Sequence, residues 1–456
     1  MAFGIISIML CLGMVIRAKI PFIRNTLAPA SVIAGIMGFI FINLEFFENI
    51  DTSIFNTVVQ HLFTLSFISI GLTSNPKSKT GESSIKSVAK GSLGLGMIWN
   101  ILYAFTPIIG GLLLYFIGNI FGMHPVYGLL IPFGFSQGPG QAATFGAIFE
   151  QYGWTNASMV GVTFAAIGFI VAFFVGVPLA KYGLRKGLSV NNNKIDDYVK
   201  RGYYNKNESS TMLGKETTFS ENIETITFHF AIIGIVYVLS VFLADIISNI
   251  PGIGETIASM LFMVGMIVAY GVKYIMKKLN IDHLIDNQFQ GKLTGWATDY
   301  LIVASFMAVQ MSVVGNWIIP IIIVSLIVAL VTFVVSLYFG RRIGGENDFE
   351  RTLGLFGTAT GTVPSGMALI RIVDPTLNTT TGTELGMMNL PMMFSYVTLA
   401  TILAMAEGTL SFELGLVLLF VPIPAYLIAM KILKVWNDPT YQLKGSDSKS
   451  SVRTNK

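Results

Sequence analysis

The chain has 456 residues, 53% of them hydrophobic and 12% charged, with a net charge of +4 and a mean hydropathy of +0.68. Soluble globular proteins carry roughly 25% charged residues, so the composition excludes a water-soluble domain of this size, a disordered chain and a nucleic-acid binder working through a basic surface. One cysteine, Cys11, and four scattered histidines offer neither an internal disulfide nor a transition-metal cluster.

In chain order, apolar runs near 2–16, 27–44, 55–74, 91–117, 155–180, 225–247, 253–272, 293–313, 315–339, 385–406 and 409–430 read as transmembrane spans, because a helix needs about 20 mostly apolar residues to cross a bilayer. The first run lacks a basic lead and a convincing cleavage site, so it reads as a retained helix and not a signal peptide. Two further runs, 126–149 and 352–374, are rich in Gly and small polar residues. If both dip into the membrane and return, and the N-terminus lies outside, all 29 Lys and Arg fall on the cytoplasmic side. A full crossing at 126–149 would instead carry the loop 181–222, with its eight Lys and Arg, to the outside.

The two unusual runs resemble each other. Phe133-Gly134-Phe135-Ser136-Gln137-Gly138 lies over Phe356-Gly357-Thr358-Ala359-Thr360-Gly361 without a gap, and Asn156 and Asn378 follow at similar places. Five crossings separate the start of the first half from the start of the second, and an odd number inverts them. The expected fold is an all-α polytopic membrane protein: an inverted repeat of five transmembrane helices each with a re-entrant hairpin, plus an extra C-terminal helix. Its parts are an N-terminal repeat over 1–184 with hairpin 126–151, a cytoplasmic linker over 185–222, and a second repeat over 223–408 with hairpin 352–374. The added helix over 409–434 and a cytoplasmic tail over 435–456 complete it. Inverted repeats with broken helices are the architecture of secondary transporters, whose site lies where the repeats meet.

Each break is followed by a plausible half-helix, Gln141–Phe149 and Pro364–Val373. A helix N-terminus offers free N–H groups and a positive dipole end, so two opposed N-termini suit a substrate with two carboxylates. Ser136, Gln137, Gly138, Gly140 and Gln141 at the first tip, and Thr360, Gly361, Thr362 and Ser365 at the second, are the candidate substrate-binding residues. The competing reading of these residues is close helix packing, with hydroxyls bonded to backbone. Arg371 either holds a substrate carboxylate or lies at the interface beside Asp374. Asn156, Asn378 and Asp299 carry oxygens suited to a sodium ion, although Asp299 is also near enough to the inner surface to be solvated. His61 and His229 sit on apolar faces as core residues. No nucleophile–base pair, phosphate-binding loop or zinc-protease motif supports an enzyme.

Ser136-Gln137-Gly138-Pro139-Gly140-Gln141-Ala142-Ala143, followed by Gln151-Tyr152-Gly153-Trp154-Thr155-Asn156-Ala157, resembles the bacterial sodium/glutamate symporter family. There a Gly-rich hairpin precedes a Tyr-Gly-aromatic-Thr-Asn-Ala element. Ser69-Ile70-Gly71-Leu72 with Asn75 is similar to another family segment, and Gly354, Gly357, Gly361 and Pro364 fit the spacing of its second hairpin. The resemblance implies Na⁺-coupled uptake of glutamate, with Na⁺ as coupling ion, in the bacterial cell (inner) membrane. It also implies a homodimer and an elevator-like movement of the hairpin-bearing part. Gln137, Pro139 and Gln141 depart from the family's Gly, His and Thr, which bears on substrate selectivity more than on Na⁺ coupling. A carboxylate exchanger, an H⁺-coupled carrier and an anion channel are the alternatives.

Overall fold

The computed structural model describes residues 1–46, 53–73, 82–190, 201–203, 205, 206, 214–250, 254, 258, 261–374, 379–388 and 393–443. Among them the chain is helical, with no strand. Asn378, Asn75 and much of the 185–222 linker lie outside the described residues.

The main helices are α1 Ala2–Lys19, α2 Ala30–Asn43, α3 Ser53–Leu72, α4 Glu82–Ile117, α5 Ile131–Phe135, α6 Pro139–Gln151, α7 Ala157–Lys186, α8 Thr225–Ser248, α9 Leu261–Lys278 and α10 Asn287–Met307. They continue with α11 Ile318–Gly340, α12 Asp348–Ala359, α13 Val363–Val373, α14 Thr381–Met387, α15 Tyr396–Glu407, α16 Phe412–Phe420 and α17 Pro422–Ile432. Among the described residues seven helical stretches are long and apolar enough to cross a membrane, and each coincides with one of the eleven expected spans.

The other four expected spans differ for identifiable reasons. The run 27–44 yields only the 14 residues of α2, because Pro29 occupies its N-cap; that is about 21 Å of helix against roughly 30 Å of hydrocarbon. The run 253–272 is described as a continuous helix only from Leu261. The 21-residue α10 is long enough, yet it carries Lys292, Asp299 and several amides and hydroxyls. The run 385–406 is divided between α14 and α15.

Two groups of helices share the chain in alternate stretches. Helices α1–α3 pack with α8–α10, whereas α4–α7 pack with α11–α14 and α17. The main bridges between the groups are α3 against α6 and α7 against α10. Lacking a hydrophobic drive between spans, such helices associate by close packing. Gly134 of α5 accordingly lies against Gly161 and Ala165 of α7, and Gly183 of α7 against the Phe349 ring of α12.

Both Gly-rich segments fold back as helix–turn–helix units. In the first, Phe133 stacks on Phe145 at 4.0 Å and meets Phe149 edge-on at 6.5 Å. On one straight helix Phe133 and Phe149 would stand about 24 Å apart. The Tyr127 hydroxyl donates to the Thr155 carbonyl at 2.7 Å and closes the open end. In the second, Gly357 of α12 abuts Gly366 and Leu369 of α13.

Candidate functional site

The long helix α7 is the ruler on which the two units are placed. Its 30 residues make it about 45 Å long. The open end of the first unit, at Thr155, meets the beginning of α7. The base of the second meets its end, where Ser189 and Val190 donate to Glu350 Oε1 at 2.7 and 2.9 Å. The turns of both units reach the middle of α7: a side-chain carbon on Gly168 would touch the Thr360 carbonyl, and one on Gly361 would touch Phe169. There the turns also meet each other, because a Cβ on Gly138 would collide with the Thr362 methyl group.

Local chemistry explains each turn. Gly138 has φ 88° and ψ −177°, a combination open in practice only to glycine. It is the N-cap of α6, whose first turn begins at Pro139; the missing N–H of a first-turn proline costs nothing. Thr362 is the extended N-cap of α13, which has Pro364 in its first turn. Gly138 has no side chain to cap α6 and the Thr362 side chain makes no capping bond, so both helices offer uncapped N–H groups and positive dipole ends near the same point.

The side chains of the two tips differ. At the first, Ser136 is 2% and Gln141 8% exposed, yet Ser136 Oγ, Gln137 Oε1 and Gln141 Oε1 have no hydrogen-bond partner in the protein. Such groups are rare in folded proteins, since each forfeits its hydration without return. Helix α4 holds the turn: Trp99 Nε1 donates to the Ser136 carbonyl at 3.1 Å, and the Trp99 ring stacks on Tyr103 at 4.8 Å. Gly140 lies directly beneath the Phe63 ring of α3. At the second tip Thr360 Oγ1 donates to the Phe356 carbonyl at 2.7 Å, and Thr362 and Ser365 share a bond of 3.3 Å.

The structure thus brings together Ser136, Gln137, Gly138, Gly140 and Gln141 with Thr360, Gly361, Thr362 and Ser365. It leaves three expected site residues elsewhere. Arg371 is exposed in the last turn of α13, nine residues or about 14 Å of helix beyond Thr362. Asp299 is exposed on α10 beside Ser31 of α2. Asn156 is the exposed left-handed residue, φ 61°, that joins the first unit to α7; asparagine tolerates that conformation.

Sequence reasoning missed the base of the second unit. Arg351, 1% exposed, donates through Nε and Nη2 to both oxygens of Glu384 at 2.6 and 2.7 Å. Through Nη1 it donates to Asp348 at 2.8 Å. The Thr440 hydroxyl, near the C-terminus, donates to the other Asp348 oxygen at 2.9 Å. Arg351 and Glu384 are far apart in the chain, so no local spacing announces them. Trp99 and Tyr103 also escaped, because an aromatic pair one turn apart on an apolar helix reads as core.

A bundle of apolar helices built around two opposed helix–turn–helix tips has the make-up of a membrane carrier. The chain belongs to the sodium/glutamate symporter family, whose profile matches residues 1–375. It is therefore a multi-pass membrane protein of a family of Na⁺-coupled carriers, not of enzymes. Residues 376–456 lie outside the match. No curated protein matches the chain.

Proposed function

We propose that the chain imports glutamate or a related small acidic amino acid with Na⁺, by elevator-like alternating access, with the two tips as the substrate site. The observation that carries this reading is the set of partnerless oxygens of Ser136, Gln137 and Gln141, beside the uncapped N-termini of α6 and α13. N–H groups and dipole ends suit substrate carboxylates, and the tip oxygens suit a substrate ammonium group or a sodium ion. Arg371 and Asn156 stand away from the tips, and the proposal draws on neither of them nor on Asp299.

The placement of the two units supports re-entrant hairpins that approach from opposite faces of the membrane. Their bases lie at opposite ends of α7 and their tips at its middle, about half of a 45 Å helix from either end. The sharing of helices between the two groups supports the inverted repeat, since α1–α3 and α8–α10 are corresponding stretches of the two halves. The group bearing the hairpins is then the moving part. We assign the chain to the bacterial inner membrane as a homodimer, with its N-terminus outside and its linker and tail cytoplasmic, as its basic residues favour.

Liposomes containing the purified protein are expected to accumulate labelled glutamate or aspartate only under an inward Na⁺ gradient. Accumulation driven by a pH gradient instead would mark an H⁺-coupled carrier. Flux that never exceeds equilibrium would mark a channel and overturn the reading.

A further inference from the structure

A cavity of about 270 Å³ lies between the two helix groups, where α6 of the first unit faces α3, α8 and α9. Its polar lining comprises Gln60, His61 and Thr64 of α3, Thr144 and Gln151 of α6, and Tyr237 of α8. His61 Nδ1 and the Tyr237 hydroxyl lie 2.7 Å apart and tie α3 to α8 across the opening. Thr144 stands one turn beyond Gly140, and Gln151 is the last residue of α6, so the cavity follows α6 from near the tip to the open end of the unit. No lining group carries a fixed charge, so amides and hydroxyls would meet a zwitterion without trapping it.

Between this cavity and the tip stands a cluster of three rings. Phe262 forms part of the cavity wall and packs on Phe63 at 5.0 Å and on Phe67 at 5.2 Å. Phe63 and Phe67 are 4.7 Å apart. Phe63, 5% exposed, covers Gly140, which has no side chain to keep the ring away. Resting on the proposed function, we propose that the cavity is the vestibule through which a small zwitterionic amino acid reaches the tips, and that Phe63 is the gate between them. The gate joins the two groups directly, Phe63 belonging to α3 and Gly140 to α6. Sliding α6 along α3 would therefore uncover the tip. Phe63 acts by position and touches no transferred ion.

The test reads accessibility and needs neither substrate nor transport, so it stands apart from the choice of substrate. In a Cys11→Ser background, Thr144→Cys in the vestibule and Ser136→Cys at the tip are exposed to a membrane-impermeant methanethiosulfonate in proteoliposomes. Thr144→Cys is expected to react readily and Ser136→Cys slowly. Adding Phe63→Leu, which keeps the core apolar, or Phe63→Ala should speed Ser136→Cys about tenfold or more, because loss of a buried ring's packing favours local opening. The rate at Thr144→Cys should stay unchanged. If Phe63→Leu unfolds the protein, Phe262→Leu loosens the same cluster from the vestibule side and should give the same acceleration. An unreactive Thr144→Cys would overturn the vestibule. An unchanged Ser136→Cys rate in correctly inserted Phe63 and Phe262 variants would overturn the gate.

Discussion

The two helix–turn–helix units meet tip to tip, but their polar groups are arranged in opposite ways. In the first, unpartnered oxygens gather at the turn, at Ser136, Gln137 and Gln141, and the body is a stack of phenylalanines. In the second, the hydroxyl of Thr360 is satisfied by its own helix, and the demanding chemistry sits at the base, in the buried Arg351–Glu384–Asp348 cluster. Two segments alike in sequence thus differ in structure: one leaves oxygens unpartnered at its turn, and the other buries its charged groups at its base. The base of the second unit ties α12 to α14 through Arg351, to Ser189 and Val190 beyond α7 through Glu350, and to the C-terminal segment through Thr440.

The comparison breaks most visibly at Arg351. Replacing it with Met leaves the Glu384 and Asp348 carboxylates buried without their cation, which costs about 3–5 kcal/mol. Arg351→Met is expected to lose most of its membrane yield and to unfold early in detergent, as thermal unfolding would measure. An unaltered midpoint would remove the anchoring role.

Next in size is Gly138→Ala. The backbone at φ 88° and ψ −177° costs a residue with a side chain about 1–3 kcal/mol, and the added methyl group collides with Thr362. Both effects act where the units touch, so Na⁺-driven uptake should fall by more than about tenfold while membrane insertion persists. Gly361→Ala has no positive φ to strain and presses on the Ser365 hydroxyl and Phe169, so its loss of uptake should be the smaller of the two. Equal losses would mean that the tips are equivalent.

Side-chain oxygens sharpen the comparison further. A desolvated hydrogen bond to a charged ligand is worth about 1.5–3 kcal/mol, so Gln141→Ala should weaken apparent affinity in uptake assays by about tenfold or more. Thr360→Val removes a hydroxyl already bonded to Phe356 and should shift affinity by less than about threefold, with a stability loss near 1 kcal/mol. A larger affinity effect at Thr360 would move recognition to the second tip.

The breaks in the two helix–turn–helix units were legible in the sequence because glycine and proline are rare in helix interiors, and both clusters interrupt long apolar runs. Positions along α6 and α13 followed from helix geometry once the breaks were found. The spans were less legible: apolar length could not reveal that Pro29 starts α2 late or that the run 385–406 is shared by two helices. The ionic cluster was invisible, since Arg351 and Glu384 carry no signal until the fold joins them. Arg371 drew attention as the one basic residue in the two Gly-rich runs, yet its place in the last turn of α13 leaves it exposed.

The smallest expected effect concerns Asn156, whose neighbour Trp154 donates through Nε1 to the Ala406 carbonyl at 2.6 Å. Two roles for Asn156 separate cleanly. As a turn residue it is needed for its left-handed backbone, φ 61°; as a sodium ligand it is needed for its amide oxygen. Glycine keeps the first property and discards the second, whereas alanine discards both, at about 1 kcal/mol for the left-handed conformation. The exposed position between α6 and α7, remote from the tips, favours the turn. Asn156→Gly should therefore keep both thermal stability and the Na⁺ concentration for half-maximal uptake, while Asn156→Ala should lose a little stability and keep the same Na⁺ dependence. A rise in the required Na⁺ shared by both variants would restore the amide as an ion ligand and place a sodium site at the base of the first unit.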